Sequence, residues 1–102
     1  MATTPVAGPA SQTPATPGTS IVAIDANQSG GYIVNPFVAA DQGLTTAEVL
    51  YVNQVTLAAT SANGTTVALQ PGQTYSIIPN TTTPVNVASI SANHKFTAVE
   101  WP

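Results

Sequence analysis

From about residue 20 onward, short runs of Val, Ile, Tyr and Thr alternate with clusters of Asn, Gly, Pro and Ser. The clusters recur about every 8 to 12 residues, a spacing that is typical of strands and turns in all-β sandwiches and barrels. The pattern therefore predicts an all-β domain, a small sandwich or barrel of about seven short strands, immunoglobulin-like or jelly-roll-like. The predicted strands are residues 20–24, 31–35, 48–58, 65–70, 74–78, 84–88 and 95–101.

The longest predicted strand, residues 48–58, has apolar side chains on both faces, which is typical of a central strand. Asn53 and Gln54 interrupt its middle, and the sequence leaves open a bend, a bulge or a polar contact between subunits. Residues 41–47 contain a weak helical pattern at 44–47, but the segment is short and rich in Thr. We predict a loop there.

Two turn signals connect the predicted strands. Pro71 and Gly72 suit the central positions of a type II turn, because Pro presets φ and Gly accepts a positive φ. Two-residue hairpins prefer type I′ or II′ turns, so this turn is expected to join strands by a wider connection or across two sheets. The Asn-Gly pair at residues 63–64 is a type I′ signal and predicts a hairpin between residues 56–61 and 65–69.

The N-terminal segment differs from the rest of the chain. Residues 2–20 carry no charged or aromatic side chain, and prolines interrupt them at Pro5, Pro9, Pro14 and Pro17. Proline at this density favours extended conformations and does not support a core. We predict an extended or disordered Pro/Ala/Thr-rich arm at residues 1–20 and a β-sandwich domain at residues 21–102. The arm is either a spacer or a docking segment, and its lack of charge favours docking.

Charge is scarce throughout: the 102 residues include one Lys or Arg, four Asp or Glu, one His and no Cys. Nucleic-acid binding requires clustered cations, and structural zinc sites and disulfides require Cys. The chain has no basic start followed by an apolar run, and no stretch approaches the roughly 18 apolar residues of a membrane span. We therefore expect synthesis in the cytoplasm and neither a nucleic-acid nor a membrane partner.

Few residues are candidates for chemistry. Asp25 opens a segment that matches the first half of a calcium loop, but position twelve is Pro36 instead of Glu, so we expect an Asx turn formed by Asp25 or Asn27. His94 is the only imidazole and no nucleophile motif accompanies it, so we expect it to be solvated or bonded to the backbone. The sequence predicts no enzyme, no metal site and no cofactor.

Four aromatic residues fall on predicted strands, where such side chains belong either to the core or to a sugar-binding platform. Core packing is the simpler interpretation for Tyr51 and Tyr75. Both interpretations stay open for Tyr32 and Trp101, and Trp101 could also lie at an edge or a subunit contact. Tyr32 and Trp101, together with the prolines of the arm, are the predicted partner-binding residues.

Four stretches of the chain resemble small structural proteins of tailed phages and prophages, namely the head decoration, or cement, proteins. They are Gly-Gly-Tyr-Ile-Val-Asn-Pro at 30–36, Glu-Val-Leu-Tyr-Val-Asn at 48–53, Gly-Thr-Thr-Val-Ala-Leu-Gln-Pro-Gly-Gln-Thr-Tyr at 64–75 and His-Lys-Phe-Thr at 94–97. The resemblance covers residues 24–101 and leaves the arm aside.

The resemblance implies a β domain that binds the outer surface of the capsid, often as a dimer or trimer at a symmetry axis, and bridges neighbouring capsomers. It brings no catalytic residues. The expected partners are the major capsid protein and further copies of this chain, and the expected location is the capsid surface of the virion. The alternative, suggested by the aromatic residues beside amide-rich loops, is a carbohydrate- or receptor-binding module of a fibre or adhesin.

Overall fold

A computed structural model of the chain describes residues 20–26, 28–56, 58, 61, 63–79 and 82–101. Apart from Ser20, the predicted arm with its four prolines lies outside these residues. The described part contains seven strands and one short helix. They are β1 (Ile21–Ile24), β2 (Gly31–Val34), α1 (Ala39–Gln42), β3 (Leu50–Asn53), β4 (Thr66–Leu69), β5 (Thr74–Ile77), β6 (Val85–Ser89) and β7 (Thr97–Glu100).

The strands form two sheets with antiparallel pairing throughout. One sheet has four strands in the order β1-β6-β3-β4, and the other has three in the order β5-β2-β7. The predicted small all-β sandwich of about seven short strands is therefore confirmed. Each predicted strand overlaps an observed one, because the runs of β-branched residues mark where extended backbone packs well.

The core lies between the two sheets. Six of its eleven buried residues are Val or Ile, as the high content of β-branched residues suggests. Phe96 is the largest, and Tyr75 packs against the cluster from its margin. Tyr51 does not pack against the core. It pairs with Ala68 and Ala88, and its side chain lies on the opposite face of the four-stranded sheet. The prediction that Tyr51 belongs to the core was wrong.

The predicted strand at residues 48–58 is much shorter in the structure, and β3 ends at Asn53. The Asn53 Oδ1 atom accepts hydrogen bonds from the backbone N–H groups of Val55 and Thr56, at 2.7 and 2.8 Å, which turns the chain out of the strand. Of the alternatives left open for this position, the structure has a bend.

Beyond the bend, residues 56 and 58 lie across the outer face of the four-stranded sheet. The Asn86 amide on β6 donates to the Thr56 carbonyl at 2.9 Å, and the Ala58 N–H donates to the Ser20 hydroxyl at 3.0 Å. This crossing explains why every residue of β6 is buried, including those that face away from the core. Ala58, which is buried, therefore covers the sheet instead of extending a strand.

The two turn predictions have opposite outcomes. At residues 70–73 the Gln73 N–H donates to the Gln70 carbonyl at 3.0 Å and Gly72 has a φ of 88°, as a type II turn requires. This turn joins β4 of one sheet to β5 of the other, so the expected crossing between sheets is confirmed. Residues 63–64 do not form a type I′ turn, since neither Asn63 nor Gly64 has the positive φ that this turn requires.

A single helical turn, α1, overlaps the start of residues 41–47, where we predicted a loop, so that prediction was wrong for Asp41 and Gln42. Its C-terminal residue is followed by Gly43 in the left-handed conformation, with a φ of 74°. The Gly43 N–H donates to the Ala40 carbonyl, as is usual at the end of a helix. No helix in the described residues has the length and apolar character needed to cross a membrane.

Candidate binding face and polar clusters

The outer face of the three-stranded sheet carries no charged side chain. The strand register places six residues on this side, away from the core. We call this surface the outer sheet face, and it consists of Tyr32, Val34, Thr74, Ser76, Thr97 and Val99. Thr74 and Ser76 are exposed, and Tyr32, Val34 and Thr97 are half-buried. The surface therefore mixes hydroxyl and apolar groups, a chemistry suited to contact with another protein or a sugar.

Tyr32 and Trp101, both predicted to bind a partner, lie together at one end of this face. Their ring centroids are 5.8 Å apart with an interplanar angle of 62°, an edge-to-face arrangement. The Trp101 N–H donates to the Gly30 carbonyl at 2.9 Å, which continues the pairing of β7 with β2 and fixes the backbone at Trp101. Val99, paired with Tyr32 in register, is only 5% exposed although it faces away from the core.

Gly31 adjoins this aromatic pair and is required by close backbone packing. A Cβ atom at this position would clash with the carbonyl oxygen of Val99, and its φ of 151° is one that other residues rarely adopt. The strand β2 can therefore lie close to β7 only with glycine here, which positions Tyr32 beside Trp101.

Several large apolar side chains are exposed at the two ends of the sandwich. Phe37 is 73% exposed at one end, next to the turn that contains Gly72. Ile78 and Val55 are 67% and 63% exposed at the other end. Exposed apolar groups of this size are common at contact surfaces, although single ones also occur on ordinary surfaces.

A buried cluster of polar side chains joins strands and loops by hydrogen bonds at the end of the sandwich near Phe37. We call it the histidine end, and it consists of Asn35, Gln42, Glu48, Ser91 and His94. At its centre, the Asn35 amide nitrogen donates to the carbonyls of Glu48 and Leu69, at 2.9 and 2.8 Å. Both hydrogens of this nitrogen are thereby used on main-chain oxygens, which fixes the orientation of the amide.

The opposite atom of the same amide, Asn35 Oδ1, lies 2.8 Å from His94 Nε2. Because Oδ1 can only accept, Nε2 must carry the proton and donate. His94 is thus assigned as the Nε2–H tautomer, and its Nδ1 atom is buried with no hydrogen-bond partner among the described residues. The sequence-based expectation of a solvated or backbone-bonded histidine was wrong, since the ring is fully buried and bonded to a side chain.

Gln42 of α1 connects the helix to this cluster. Its amide nitrogen donates to Asn35 Oδ1 at 3.1 Å and to the Pro36 carbonyl at 2.7 Å, and its oxygen accepts from the Glu48 N–H at 2.9 Å. The Lys95 N–H donates to the Gln42 carbonyl at 2.8 Å. One short helical turn is in this way joined to β2, to the start of β3 and to the segment before β7.

The electrostatics of the histidine end favour a neutral ring. Burial lowers the pKa of His94, and the nearby Glu48 carboxylate raises it by a smaller amount. One Glu48 oxygen accepts from the Ser91 hydroxyl at 2.7 Å, and the other is buried with no hydrogen-bond partner among the described residues. The ring is closed off from solvent, so neither of its nitrogens can reach a bound substrate in this conformation.

A second polar cluster fastens the opposite end, and it contains no charged side chain. We call it the glutamine end, and it consists of Gln28, Gln54, Tyr75, Ile78 and Thr83. The Gln54 Oε1 atom accepts from the Tyr75 hydroxyl at 3.0 Å and from the Ile78 N–H at 3.2 Å. The amide nitrogens of Gln54 and Gln28 both donate to the Ile78 carbonyl. Burial raises the pKa of Tyr75, which keeps the phenol protonated as a donor.

No group of three or more His, Asp or Glu side chains in the described part of the chain could hold a metal ion. In the segment that begins at Asp25, the side chain that bonds the backbone is that of Gln28, whose oxygen accepts from the Gly30 N–H. Asp25 is exposed, and Asn27 lies outside the described residues. The Asx turn at Asp25 or Asn27 stays a prediction.

Comparisons of this chain with protein-family models, with curated proteins and with solved structures find no match.

Sequence reasoning missed the side chains that fasten both ends. Asn35 directly follows an apolar run, and Gln54 follows one after Asn53, which was the only local signal that they close a strand. Their partners are 7 to 59 residues away for Asn35 and 21 to 29 residues away for Gln54. No pattern within a short window could reveal such pairings.

Proposed function

We propose that this chain is a virion structural protein of a tailed phage or prophage that binds the outer capsid surface and holds neighbouring capsomers together. The major capsid protein would be its partner, and the outer sheet face with Tyr32 and Trp101 would make the contact. The proposal depends on the four stretches that resemble head decoration proteins and on an uncharged contact surface.

The surface chemistry is the observation that carries the proposal. Between Glu48 and Lys95 the sequence contains no Asp, Glu, Lys or Arg, and the outer sheet face is likewise uncharged. Contacts without ion pairs lose little affinity to salt. On a repeating lattice, many modest contacts add through multivalency, so each copy needs only a small face. A small sandwich of this kind suits such a role.

The test is the heat resistance of particles that carry the chain compared with particles that lack it. We expect the decorated particles to rupture at the higher temperature. Equal rupture temperatures would contradict the proposal.

Two matched lysine substitutions locate the contact. Thr97→Lys places a charge on the outer sheet face, whereas Thr45→Lys places one at an exposed position in the loop after α1. We expect Thr97→Lys to reduce the occupancy of particles and Thr45→Lys to leave it unchanged. Equal occupancy of both variants would exclude the outer sheet face as the contact.

The alternative function is a carbohydrate- or receptor-binding module, and one observation favours it. The edge-to-face pair of Tyr32 and Trp101 is half-buried at the surface, next to uncharged polar groups. Aromatic rings in such positions commonly stack on sugars. A glycan array distinguishes the two functions. A decoration protein should show no selectivity among glycans. A lectin should bind particular glycans, and the substitution Trp101→Ala should abolish that binding.

A further inference from the structure

Among the described residues, the strand β5 pairs with β2 alone and forms an edge of the three-stranded sheet. The alternation of hydrogen bonds in this sheet shows which backbone groups of β5 do not bond β2. The Asn35 N–H donates to the Gln73 carbonyl, and the Trp101 N–H donates to the Gly30 carbonyl. In antiparallel pairs the bonded residues alternate, so Thr74 and Ser76 direct their N–H and C=O groups away from β2.

Both ends of this edge are already occupied by internal hydrogen bonds. The Ile78 N–H donates to Gln54, and the Ile78 carbonyl accepts from Gln28 and Gln54. At the other end the Gln73 N–H closes the turn at residues 70–73. The open stretch is therefore short and well defined, with two residues that each offer one donor and one acceptor.

The edge lacks the features by which proteins usually prevent strand pairing. Charged side chains, prolines and bulges normally protect an edge strand. The strand β5 contains neither a charge nor a proline, and its register with β2 is unbroken. The edge of β4 is different, because Asn63 bonds both the N–H and the carbonyl of Thr66.

The chain itself contains a segment that fits this edge. Between Pro9 and Pro14 lie four residues, 10–13, with the sequence Ala-Ser-Gln-Thr. This run has no charge, equals β5 in length, and offers two N–H groups toward a neighbouring strand in either phase. The flanking prolines cannot donate, which limits the pairing to these four residues.

We propose that the edge of β5 binds residues 10–13 of a second copy of this chain by β-strand addition. The arm enters the domain at β1, which contacts β7 of the three-stranded sheet, and β7 lies at the side of that sheet opposite β5. A copy's own arm would have to cross a sheet about 14 Å wide to reach its own β5. The arm of a neighbouring copy would not have to cross this sheet, and pairing between copies would link them into an oligomer. Binding to a capsid is not required for this pairing.

The absence of cysteine from the chain permits a clean cross-linking test. Directly paired residues in antiparallel strands lie within disulfide distance. Full-length chains carrying Ser11→Cys or Gln12→Cys are mixed with chains carrying Ser76→Cys under mild oxidation. We expect a disulfide-linked dimer to form roughly tenfold faster with one of these two positions than with Thr3→Cys, which lies before Pro5.

Three results would overturn the proposal. The first is equal cross-linking of Thr3→Cys with Ser76→Cys. The second is equally fast cross-linking of Ser76→Cys with itself, which would mean that two β5 edges pair with each other. The third is a cross-link formed within single chains of the double variant Gln12→Cys and Ser76→Cys, which would mean that each copy binds its own arm.

Amide hydrogen exchange provides a second readout without cysteine. In the oligomer the backbone N–H groups of Thr74 and Ser76 should be protected. The double variant Ser11→Pro and Gln12→Pro should accelerate their exchange roughly tenfold, because proline in the arm cannot donate. The control Thr3→Pro and Thr4→Pro should leave it unchanged, and equal rates in the two variants would contradict the pairing. Particle binding can succeed or fail independently of either result.

Discussion

The two ends of the sandwich are fastened by the same kind of side chain in different electrostatic settings. At the histidine end, Asn35 bonds main-chain carbonyls beside a buried imidazole and a carboxylate. At the glutamine end, Gln54 bonds a phenol and main-chain groups with no charged side chain in the cluster. The comparison shows that side-chain amides close both ends, while only the histidine end contains an imidazole, whose pKa is lowered by burial.

The largest effect should follow from Asn35→Ala. The substitution leaves the Glu48 and Leu69 carbonyls without these donors and removes the acceptor of His94 Nε2, all in a buried setting. We expect the free energy of unfolding to fall by about 3 to 4 kcal/mol. Urea unfolding at neutral pH measures it. Asn63→Ala, which removes an exposed asparagine, is the control and should cost about 1 kcal/mol. Equal losses of unfolding free energy in Asn35→Ala and Asn63→Ala would mean that Asn35 does not hold the histidine end together.

Gln54→Ala tests the other end and should cost less, about 2 kcal/mol. The Ile78 carbonyl keeps its bond from Gln28, and the bond from the Thr83 hydroxyl to the Gln54 carbonyl does not depend on the side chain. The same urea unfolding applies, with Gln73→Ala as the matched exposed control. A loss as large as that of Asn35→Ala would show that the neutral end contributes as much as the histidine end.

The pH dependence of stability should arise at the histidine end. Burial lowers the pKa of His94 in the folded protein below its ordinary value of 6.5, so the unfolded chain binds the proton more readily. The stabilisation is fully present above pH 6.5 and is lost as the pH falls toward the folded pKa, by at most about 1.4 kcal/mol per pH unit. His94→Gln should flatten the unfolding free energy over this range, whereas Gln54→Ala should not. A slope that survives His94→Gln would assign the effect to another group.

The smallest expected effect is the coupling between the two ends. In the described part of the chain, the two clusters have no residue in common and lie at opposite ends of the sandwich, so their contributions should add. The double variant Asn35→Ala and Gln54→Ala should lose the sum of the two single losses within about 0.5 kcal/mol. If the double variant is too unstable to fold, Ser91→Ala replaces Asn35→Ala as a milder change at the histidine end. A larger deviation would mean that the core transmits changes between the ends.

The sequence predicted the positions of the strands well and the strand boundaries less well. Runs of Val, Ile and Tyr located all seven strands, since extended backbone and local side-chain chemistry agree there. The bend after Asn53 was one of three alternatives, and the crossing of the next residues over β6 was not foreseen. That crossing depends on Asn86 and Ser20, each at least 30 residues away in sequence.

For the candidate sites too, the sequence predicted some features and not others. The sequence singled out Tyr32 and Trp101, and the structure places them in contact because β2 and β7 are neighbours. Whether they bind a partner stays a prediction. His94 was expected in a polar turn because Ser, Asn and Lys surround it in sequence. Its burial depends on Asn35, 59 residues earlier, and such a contact has no local signature.

The electrostatic character of the histidine end can be tested directly by measuring the tautomer and the pKa of His94. As the only histidine, it gives a single set of imidazole signals in an NMR titration of the full-length protein. We predict the Nε2–H tautomer at neutral pH and a pKa below 6.5, because the buried ring donates to Asn35 and is shielded from water. A pKa at or above 6.5, or a proton on Nδ1, would contradict the assignment of the histidine end as a buried, neutral cluster.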